Sequence, residues 1–319
     1  MDRILNSVEQ VIEKARHVSI NEEAIEAFAG TIKPEELADV PPFFEKDDNL
    51  SLEQSIAFGF VYNAINFSYW GDPKWTINID SEDYDGGIGM LRAIQRGIKS
   101  GYDLLSARYL RVIPEEDLQQ VLRANIEVPL FSERLAQLRA LGEYIVTYYG
   151  GSFTGFVDNA EWDAVKLVEH LADEMSEVYN DEEAYADSSV KFYKRAQLLP
   201  SHLHELKQLG ISSRDVTSMD KLTALADYKI PQLLRKYNVL QYTPELASRI
   251  DSLTEIPAGS EEEVEIRAMT VWAVELLARH LKSNELPATP IQIDHMLWLR
   301  SQQKSPDDKP YHRTRTTAY

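Results

Sequence analysis

Hydrophobic residues recur along most of the chain at the three- and four-residue spacing of an α-helix, for example over 118–126 and 135–145. The period-two alternation of a strand is scarce. Its best instance is the segment 74–80 (KWTINID), where Trp75, Ile77 and Ile79 alternate with polar neighbours. The pattern therefore predicts a mainly α fold with at most a short β-hairpin.

Helix starts and loops are marked by local sequence. Pro114 is followed by three acidic residues, which favour the positive end of a helix dipole, and Ser260-Glu261-Glu262-Glu263 has the form of a capping box. The helix after Ser260 carries apolar residues along one face, so we expect it to be central. The acidic stretch 180–187 (NDEEAYAD) and the stretch 305–310 (SPDDKP) are predicted to be exposed loops. Without an internal repeat or a linker, the sequence indicates one domain over 1–319.

Charge narrows the classes of partner. The 319 residues include 33 Lys and Arg against 52 Asp and Glu, a formal net charge of -19, while 44% of residues are hydrophobic. This is the composition of a folded protein whose average field repels nucleic-acid polymers and anionic membranes. A small phosphorylated ligand stays open, because one anionic group needs only a local cluster of donors.

The chain lacks the residues that most metal and cofactor sites require. The chain has no cysteine, and its seven histidines form no HExxH pair or other ligand spacing, so we expect no metal and no cofactor. No apolar run is long enough to span a membrane and the first residues do not form a signal peptide, so we expect a cytoplasmic protein that does not bind membranes.

Two motifs of catalysis and phosphate binding are weak or missing. Gly86-Gly87-Ile88-Gly89 precedes an amphipathic run, but the strand, lysine and acidic residue of the nucleotide-binding motifs are missing, so a plain loop before a helix is the favoured interpretation. There is also no GxSxG nucleophile elbow. Carboxylates are therefore the main candidates for chemistry.

Asp227 and Asp294 each lie in an apolar helical context, LTALADYKIPQLL and PIQIDHMLWL. Burying an unpaired carboxylate is costly, so such a residue is either paired for structure or functional, and the sequence does not decide between the two. Each carboxylate is a candidate for the site.

Aromatic and basic residues could complete a site for a phosphorylated planar heterocycle. The segment 66–70 (NFSYW) ends at Trp70, while Lys194 and Arg195 form a pair of adjacent cations. Core packing and solvated surface charge are the ordinary roles of such residues, so these features are secondary to the two aspartates.

Six blocks in order along the chain are similar to the queuosine-salvage nucleosidase family. They are NFSYW at 66–70, GGSF at 150–153, FYKRAQ at 192–197, LADYKIPQLL at 225–234, EVEIRA at 263–268 and YHRTR at 311–315. The resemblance implies a helical fold akin to the helix-hairpin-helix DNA glycosylases. It also implies hydrolysis of queuosine 5'-monophosphate to queuine and ribose 5-phosphate, with this small molecule as the partner.

Site residues follow from the resemblance. It implies that Asp227 stabilises the oxocarbenium-like transition state at C1' or adds to that carbon, with Asp294 binding the base, although the two roles could be exchanged. His295 and Tyr228 lie beside them in the chain, and Trp70 offers an aromatic wall.

The chain also departs from the family pattern. It has Leu225 where the family often has Phe and Leu299 where it often has Asp, both at positions expected to contact the base, and Phe44 is nearest to a family histidine. For the phosphate we expect Lys194 and Arg195, with Lys229, His312 and Arg313 as further candidates. Two alternatives stay open: a non-catalytic queuine-binding protein, and a glycosidase for another modified nucleoside.

Overall fold

Helices make up most of the part of the chain that the computed structural model describes, residues 2–38, 43–44 and 50–319. The mainly α prediction is confirmed. The helices are α1 Asp2–Ile12, α2 Glu22–Ala29, α3 Leu52–Ile65, α4 Gly86–Lys99, α5 Ala107–Leu110, α6 Glu115–Val121, α7 Phe131–Tyr149, α8 Phe153–Asn159, α9 Ala164–Glu174, α10 Ser176–Tyr179, α11 Lys194–Gln208, α12 Lys229–Lys236, α13 Pro244–Asp251, α14 Glu261–Ser283 and α15 Pro290–Gln302, with 3-10 turns at Pro34–Leu37 and Met219–Lys221.

Strands within the described residues form three small antiparallel pairs, more than the single short hairpin expected. The pairs are β1 Val18–Ile20 with β6 Leu240–Tyr242, β2 Thr76–Ile79 with β3 Glu82–Asp85, and β4 Glu182–Tyr185 with β5 Ser188–Lys191. The strand predicted at 74–80 is β2. The β1–β6 pair joins segments more than 200 residues apart, which local alternation cannot reveal.

The acidic stretch 180–187 is not an exposed loop, so that prediction is wrong. It contains β4 and the turn of a hairpin, and Asp181 just before the strand is buried. The reason lies far along the chain, because the Asp181 carboxylate is paired with Arg267. The stretch 305–310, by contrast, has no helix or strand and is mostly exposed, as expected.

Helix α14 lies between two hydrophobic clusters, which confirms its predicted central position. Val264, Ala268 and Val271 belong to the cluster formed largely by α1, α3, α4, α7 and α11, whereas Ile266 and Val274 belong to the one formed with α2, α12, α13 and α15. Ser260 caps the helix by accepting a hydrogen bond from the Glu263 N–H at 3.3 Å. A helix buried on two sides joins both clusters in one hydrophobic body.

Arg267, on α14, has a fully buried guanidinium that is paired with a carboxylate. It donates to both carboxylate oxygens of Asp181 at 2.8 and 2.7 Å and to the Ala226 carbonyl at 3.2 Å, and its Cζ lies 3.9 Å from the centroid of the Phe192 ring. Asp181 Oδ2 also accepts from the backbone N–H of Lys194 at 3.0 Å. One side chain thus connects α14, the start of α11 and the segment before α12.

None of the described helices combines the length and apolar character required to cross a bilayer.

We predict that Asp181→Ala lowers the free energy of unfolding by about 3–5 kcal/mol, because it leaves the buried Arg267 charge with only the looser ion pair to Glu263 at 3.7 Å. Urea unfolding measures the change. Lys166→Ala is the control: its ion pair with Glu161, at 2.7 Å, is exposed, so its loss should cost less than about 1 kcal/mol. Equal losses in the two variants would contradict the importance of the buried pair.

Candidate active site

A cavity of about 520 Å³ opens where the two hydrophobic clusters meet. Its lining includes residues of α3, the segment 66–70, β3, the start of α4, α11, the segment 225–229 and α15. A volume of this size is in the range of small-molecule sites.

Asp227 lies at the entrance to α12 and lines the cavity. Its Oδ1 accepts hydrogen bonds from the backbone N–H groups of Lys229 at 2.7 Å and Ile230 at 3.0 Å, the first two residues of the helix. Its Oδ2 accepts no hydrogen bond from any described residue. The carboxylate therefore has a capping role through one oxygen and leaves the other to the cavity.

Asp294 lies on α15 and is only 3% exposed. Its Oδ1 accepts from the backbone N–H of Leu225 at 2.8 Å, which holds it to the segment that carries Asp227. Burial, and then the charge of Asp227, raise the pKa of Asp294 well above its usual range, against the Leu225 hydrogen bond and the Lys194 charge. The raised pKa favours the protonated form of Asp294 over a wider range of pH than is usual for an aspartate.

Lys194 is the first residue of α11 and lines the same cavity. It is 7% exposed, and its ammonium has no hydrogen bond or ion pair with a described residue. Burial lowers the pKa of Lys194, while the charges of Asp227 and Asp294 raise it. One cation thus lies within electrostatic reach of both carboxylates.

Histidine and phenylalanine rings form one wall. Phe43 stacks on His202 with ring centroids 3.5 Å apart and planes 4° apart, and the Asn63 amide nitrogen lies 3.1 Å from His202 Nδ1. Burial lowers the pKa of His202 well below its usual range and that of His295 to about 4. Both imidazoles are therefore neutral near pH 7 and can serve as uncharged walls or hydrogen-bond partners.

Trp70 lines the cavity, and its ring is held in place by Thr314 and Arg315. Its indole N–H donates to the Thr314 carbonyl at 2.9 Å, and the Arg315 guanidinium lies 3.6 Å from the ring centroid. These contacts fix the plane of the ring, so that a flat wall is in place before a ligand arrives.

Of the nine site residues expected from the sequence, seven line the cavity: Trp70, Lys194, Leu225, Asp227, Tyr228, Asp294 and His295. The other two, Arg195 and Leu299, do not. Arg195 is buried in the protein, where it donates to the carbonyl oxygens of Asn63 and Ala64 at 3.0 and 2.7 Å and also to Val178. Its guanidinium is occupied by backbone carbonyls, which corrects the expectation that it contacts phosphate.

The further phosphate candidates separate in the same way. Lys229 lines the cavity, whereas His312 and Arg313 do not. His312 Nε2 lies 3.0 Å from the Tyr319 hydroxyl, and burial lowers the pKa of His312 to about 3, so it has no positive charge to offer near pH 7.

The interpretation of Gly86-Gly87-Ile88-Gly89 as a plain loop is wrong. Helix α4 begins at Gly86, and the first three of these residues line the cavity. Other lining residues that the sequence reasoning did not select are Tyr62, Lys74, His202 and Lys304. They are brought in by four separate elements, and no local pattern marks them.

Among the described residues, no three His, Asp or Glu side chains are grouped in a way that would hold a metal ion.

The fold and the cavity together define a mainly helical protein with a small-molecule site built around two carboxylates and one buried lysine. The chain belongs to the queuosine salvage protein family, whose model matches residues 45–319. Three relatives, each named queuosine 5'-phosphate N-glycosylase/hydrolase, extend the comparison. The protein of Sphaerobacter thermophilus is 34% identical over 99% of this chain and 97% of its own length.

The other two relatives are from animals. The protein of Nematostella vectensis is 32% identical over 82% of this chain and 80% of its own. The protein of Mus musculus is 26% identical over 97% of this chain and 96% of its own. The similarity to these proteins thus covers most or nearly all of the chain.

The raised pKa of Asp294 predicts a pH-dependent stability. Above the unfolded-state pKa of about 4, the native state binds more protons than the unfolded state, so rising pH destabilises the wild type. Relative to Asp294→Asn, which cannot ionise, the wild type should lose up to about 1.4 kcal/mol per pH unit until the folded-state pKa is reached. Urea unfolding from pH 4 to 8 measures this difference.

The exposed Asp83, which also lines the cavity, provides the matched control: Asp83→Asn should show no such trend. A constant difference between wild type and Asp294→Asn across the whole range would contradict a protonated Asp294.

Proposed function

We propose that this protein hydrolyses the N-glycosidic bond of queuosine 5'-phosphate and releases queuine for salvage, with ribose 5-phosphate as the second product. The observation that carries the proposal is the meeting of Asp227, Asp294 and Lys194 in one cavity with flat aromatic walls. The names and coverage of the relatives support the same substrate.

Asp227 is the residue that acts at the sugar. Cleavage of the bond develops positive charge at C1' and the ring oxygen, and a carboxylate oxygen directed at that carbon stabilises it or forms a bond to it. The Oδ2 atom is left for this purpose, because the two backbone N–H groups engage Oδ1. These hydrogen bonds hold the carboxylate in position before the substrate binds.

Asp294 acts on the base. Queuine is a 7-deazaguanine, so no N7 accepts a proton as the bond breaks, and the negative charge must be stabilised through other heteroatoms. A carboxylic acid that keeps its proton can donate a hydrogen bond to such an acceptor while its Oδ1 remains bound to the Leu225 N–H. Burial and the charge of Asp227 supply the raised pKa that this role requires.

Lys194 is better placed to balance the carboxylates than to bind the phosphate. Its ammonium is within electrostatic reach of Asp227 and Asp294. A phosphate dianion beside two acidic groups would be repelled by any of them that is ionised, whereas the charges of the two aspartates favour the positively charged form of Lys194. Lys194 therefore offsets the negative charge of the carboxylates.

The base stacks against the aromatic walls. Trp70 and Tyr228 line the cavity, Leu225 supplies an apolar contact, and His295 is neutral near pH 7. Leu299 lies outside the lining, so a family contact at that position has no equivalent here. The single-domain organisation and cytoplasmic location expected from the sequence stay predictions.

We predict that Asp227→Asn lowers kcat for queuosine 5'-monophosphate at least about 100-fold, because it removes a negative charge from the transition state. The amide oxygen can still accept from Lys229 and Ile230, so the cap and the binding of queuine should persist. Liquid chromatography of the released base measures kcat, and calorimetric titration with queuine measures binding.

Asp163→Asn is the matched control, since Asp163 caps α9 through the N–H groups of Val165 and Lys166 and does not line the cavity. It should leave kcat unchanged. Tight queuine binding by folded wild-type protein without release from the nucleotide would overturn the hydrolase proposal in favour of a binding protein. Turnover of a different nucleoside alone would overturn the choice of substrate.

A further inference from the structure

We infer that the phosphate of the substrate binds at the mouth of the cavity, on a lysine cluster formed by Lys74, Lys229 and Lys304. This inference rests on the proposed function, because it assigns one part of that substrate. The three residues come from three elements: Lys74 precedes β2, Lys229 begins α12 and Lys304 follows α15, and all three line the cavity.

The lysine cluster places like charges together in a protein with a strong excess of acid. The Lys229 side chain is half-buried and has no ion pair within the described residues, and its Nζ lies 5.3 Å from the centroid of the Tyr311 ring. Burial, then repulsion by Lys74, lowers the pKa of Lys229, and Lys304 acts in the same direction. Such a cluster is most stable when an anion neutralises it.

Acidic residues near the cluster offset it only in part. Asp85 forms an ion pair with Lys74 at 3.3 Å. Asp308 is within electrostatic reach of Lys229 but forms its ion pair with Lys236, at 2.6 Å. Asp227 and Asp85 both attract the Lys229 charge. Within the described residues, neither Asp227 nor Asp85 makes an ion pair with Lys229 or Lys304. The ammonium groups of these two lysines are therefore available.

Neutral donors lie beside the same lysines. Asp85 precedes α4 and gives its helix no side-chain cap, so the first-turn N–H groups at Gly86, Gly87 and Ile88, which line the cavity, are without that partner. The Tyr62 hydroxyl, on a residue 8% exposed, makes no hydrogen bond with a described residue. It lies 2.8 Å from where a Cβ on Gly87 would stand, so glycine at this position leaves room beside the hydroxyl.

The position also suits the geometry of a nucleotide. C1' and the 5'-phosphate are at opposite ends of the ribose, so a phosphate at the mouth leaves C1' free to lie over Asp227, two residues before Lys229. Binding at Lys194 would instead bring the phosphate beside the two catalytic-site carboxylates. The lysine cluster also has acids beside it, Asp85 and Asp227, but it sets three cations against them.

The test compares Lys74→Ala, Lys229→Ala, Lys304→Ala and the triple variant, using queuosine 5'-monophosphate and queuosine as parallel substrates. We predict that the ratio of kcat/KM for nucleotide over nucleoside falls about five- to tenfold for each lysine removed, because each loses a charge-assisted contact to phosphate. Lys282→Ala, an exposed lysine at the end of α14, is the control and should keep the ratio.

A second measurement does not depend on turnover. Calorimetric titration with ribose 5-phosphate should show weaker binding by the triple variant, and the affinity of the wild type should decrease with added salt. The unfolding midpoints of the ligand-free variants distinguish a loss of phosphate binding from a loss of stability. Removal of mutually repelling lysines should not lower Tm.

An unchanged ratio and unchanged ribose 5-phosphate affinity in the folded triple variant would overturn the inference. If Lys194→Met, and none of the cluster variants, lost both the preference for nucleotide and the affinity for ribose 5-phosphate, the phosphate site would lie at Lys194 instead. If wild-type protein binds ribose 5-phosphate through the cluster but hydrolyses neither substrate, the proposed function fails while the phosphate site stands.

Discussion

The buried ion pair between Arg267 and Asp181 determines how the elements of the site meet. Asp181 Oδ2 accepts hydrogen bonds from both Arg267 and the backbone N–H of Lys194, and Arg267 also donates to the carbonyl of Ala226, the residue before Asp227. Lys194 and Asp227 are therefore positioned by one side chain of α14. A buried pair of this kind contributes little net stability, but it is costly to break and so favours a single arrangement over its alternatives.

Charge is arranged by depth in this cavity. The buried Lys194 lies within electrostatic reach of both aspartates, whereas Lys74, Lys229 and Lys304 form a more exposed cluster in the same lining, next to Asp85 and Asp227. The protein has a net charge of -19, so an approaching nucleotide meets repulsion over most of the surface and attraction only where cations gather. We expect this contrast to orient the substrate, with its anionic end outward and its flat base toward the aromatic walls.

The sequence identified the aspartates because each lies in an apolar run, where an acid must be compensated, and both accept a backbone hydrogen bond and line the cavity. The helical context expected for both is correct for Asp294 and wrong for Asp227, which lies just before α12. It could not separate Lys194 from Arg195, since one step along a helix turns a side chain by about 100°. That step directs one cation to the cavity and the other to backbone carbonyls. The error at 180–187 has a similar cause, because the partner of Asp181 lies 86 residues away.

Two chemically identical side chains can perform different tasks here because their backbones differ. Asp227 precedes a helix, where two N–H groups and the positive end of the helix dipole stabilise a negative charge. Asp294 lies within α15, where it accepts one hydrogen bond from a backbone N–H and is otherwise buried, so that its pKa is raised. The charge at Asp227 adds to this effect, since it opposes ionisation of Asp294. Under the proposed function, a carboxylate for the sugar and an acid of raised pKa for the base then lie in one cavity, the arrangement in which paired acids divide the work of breaking a glycosidic bond.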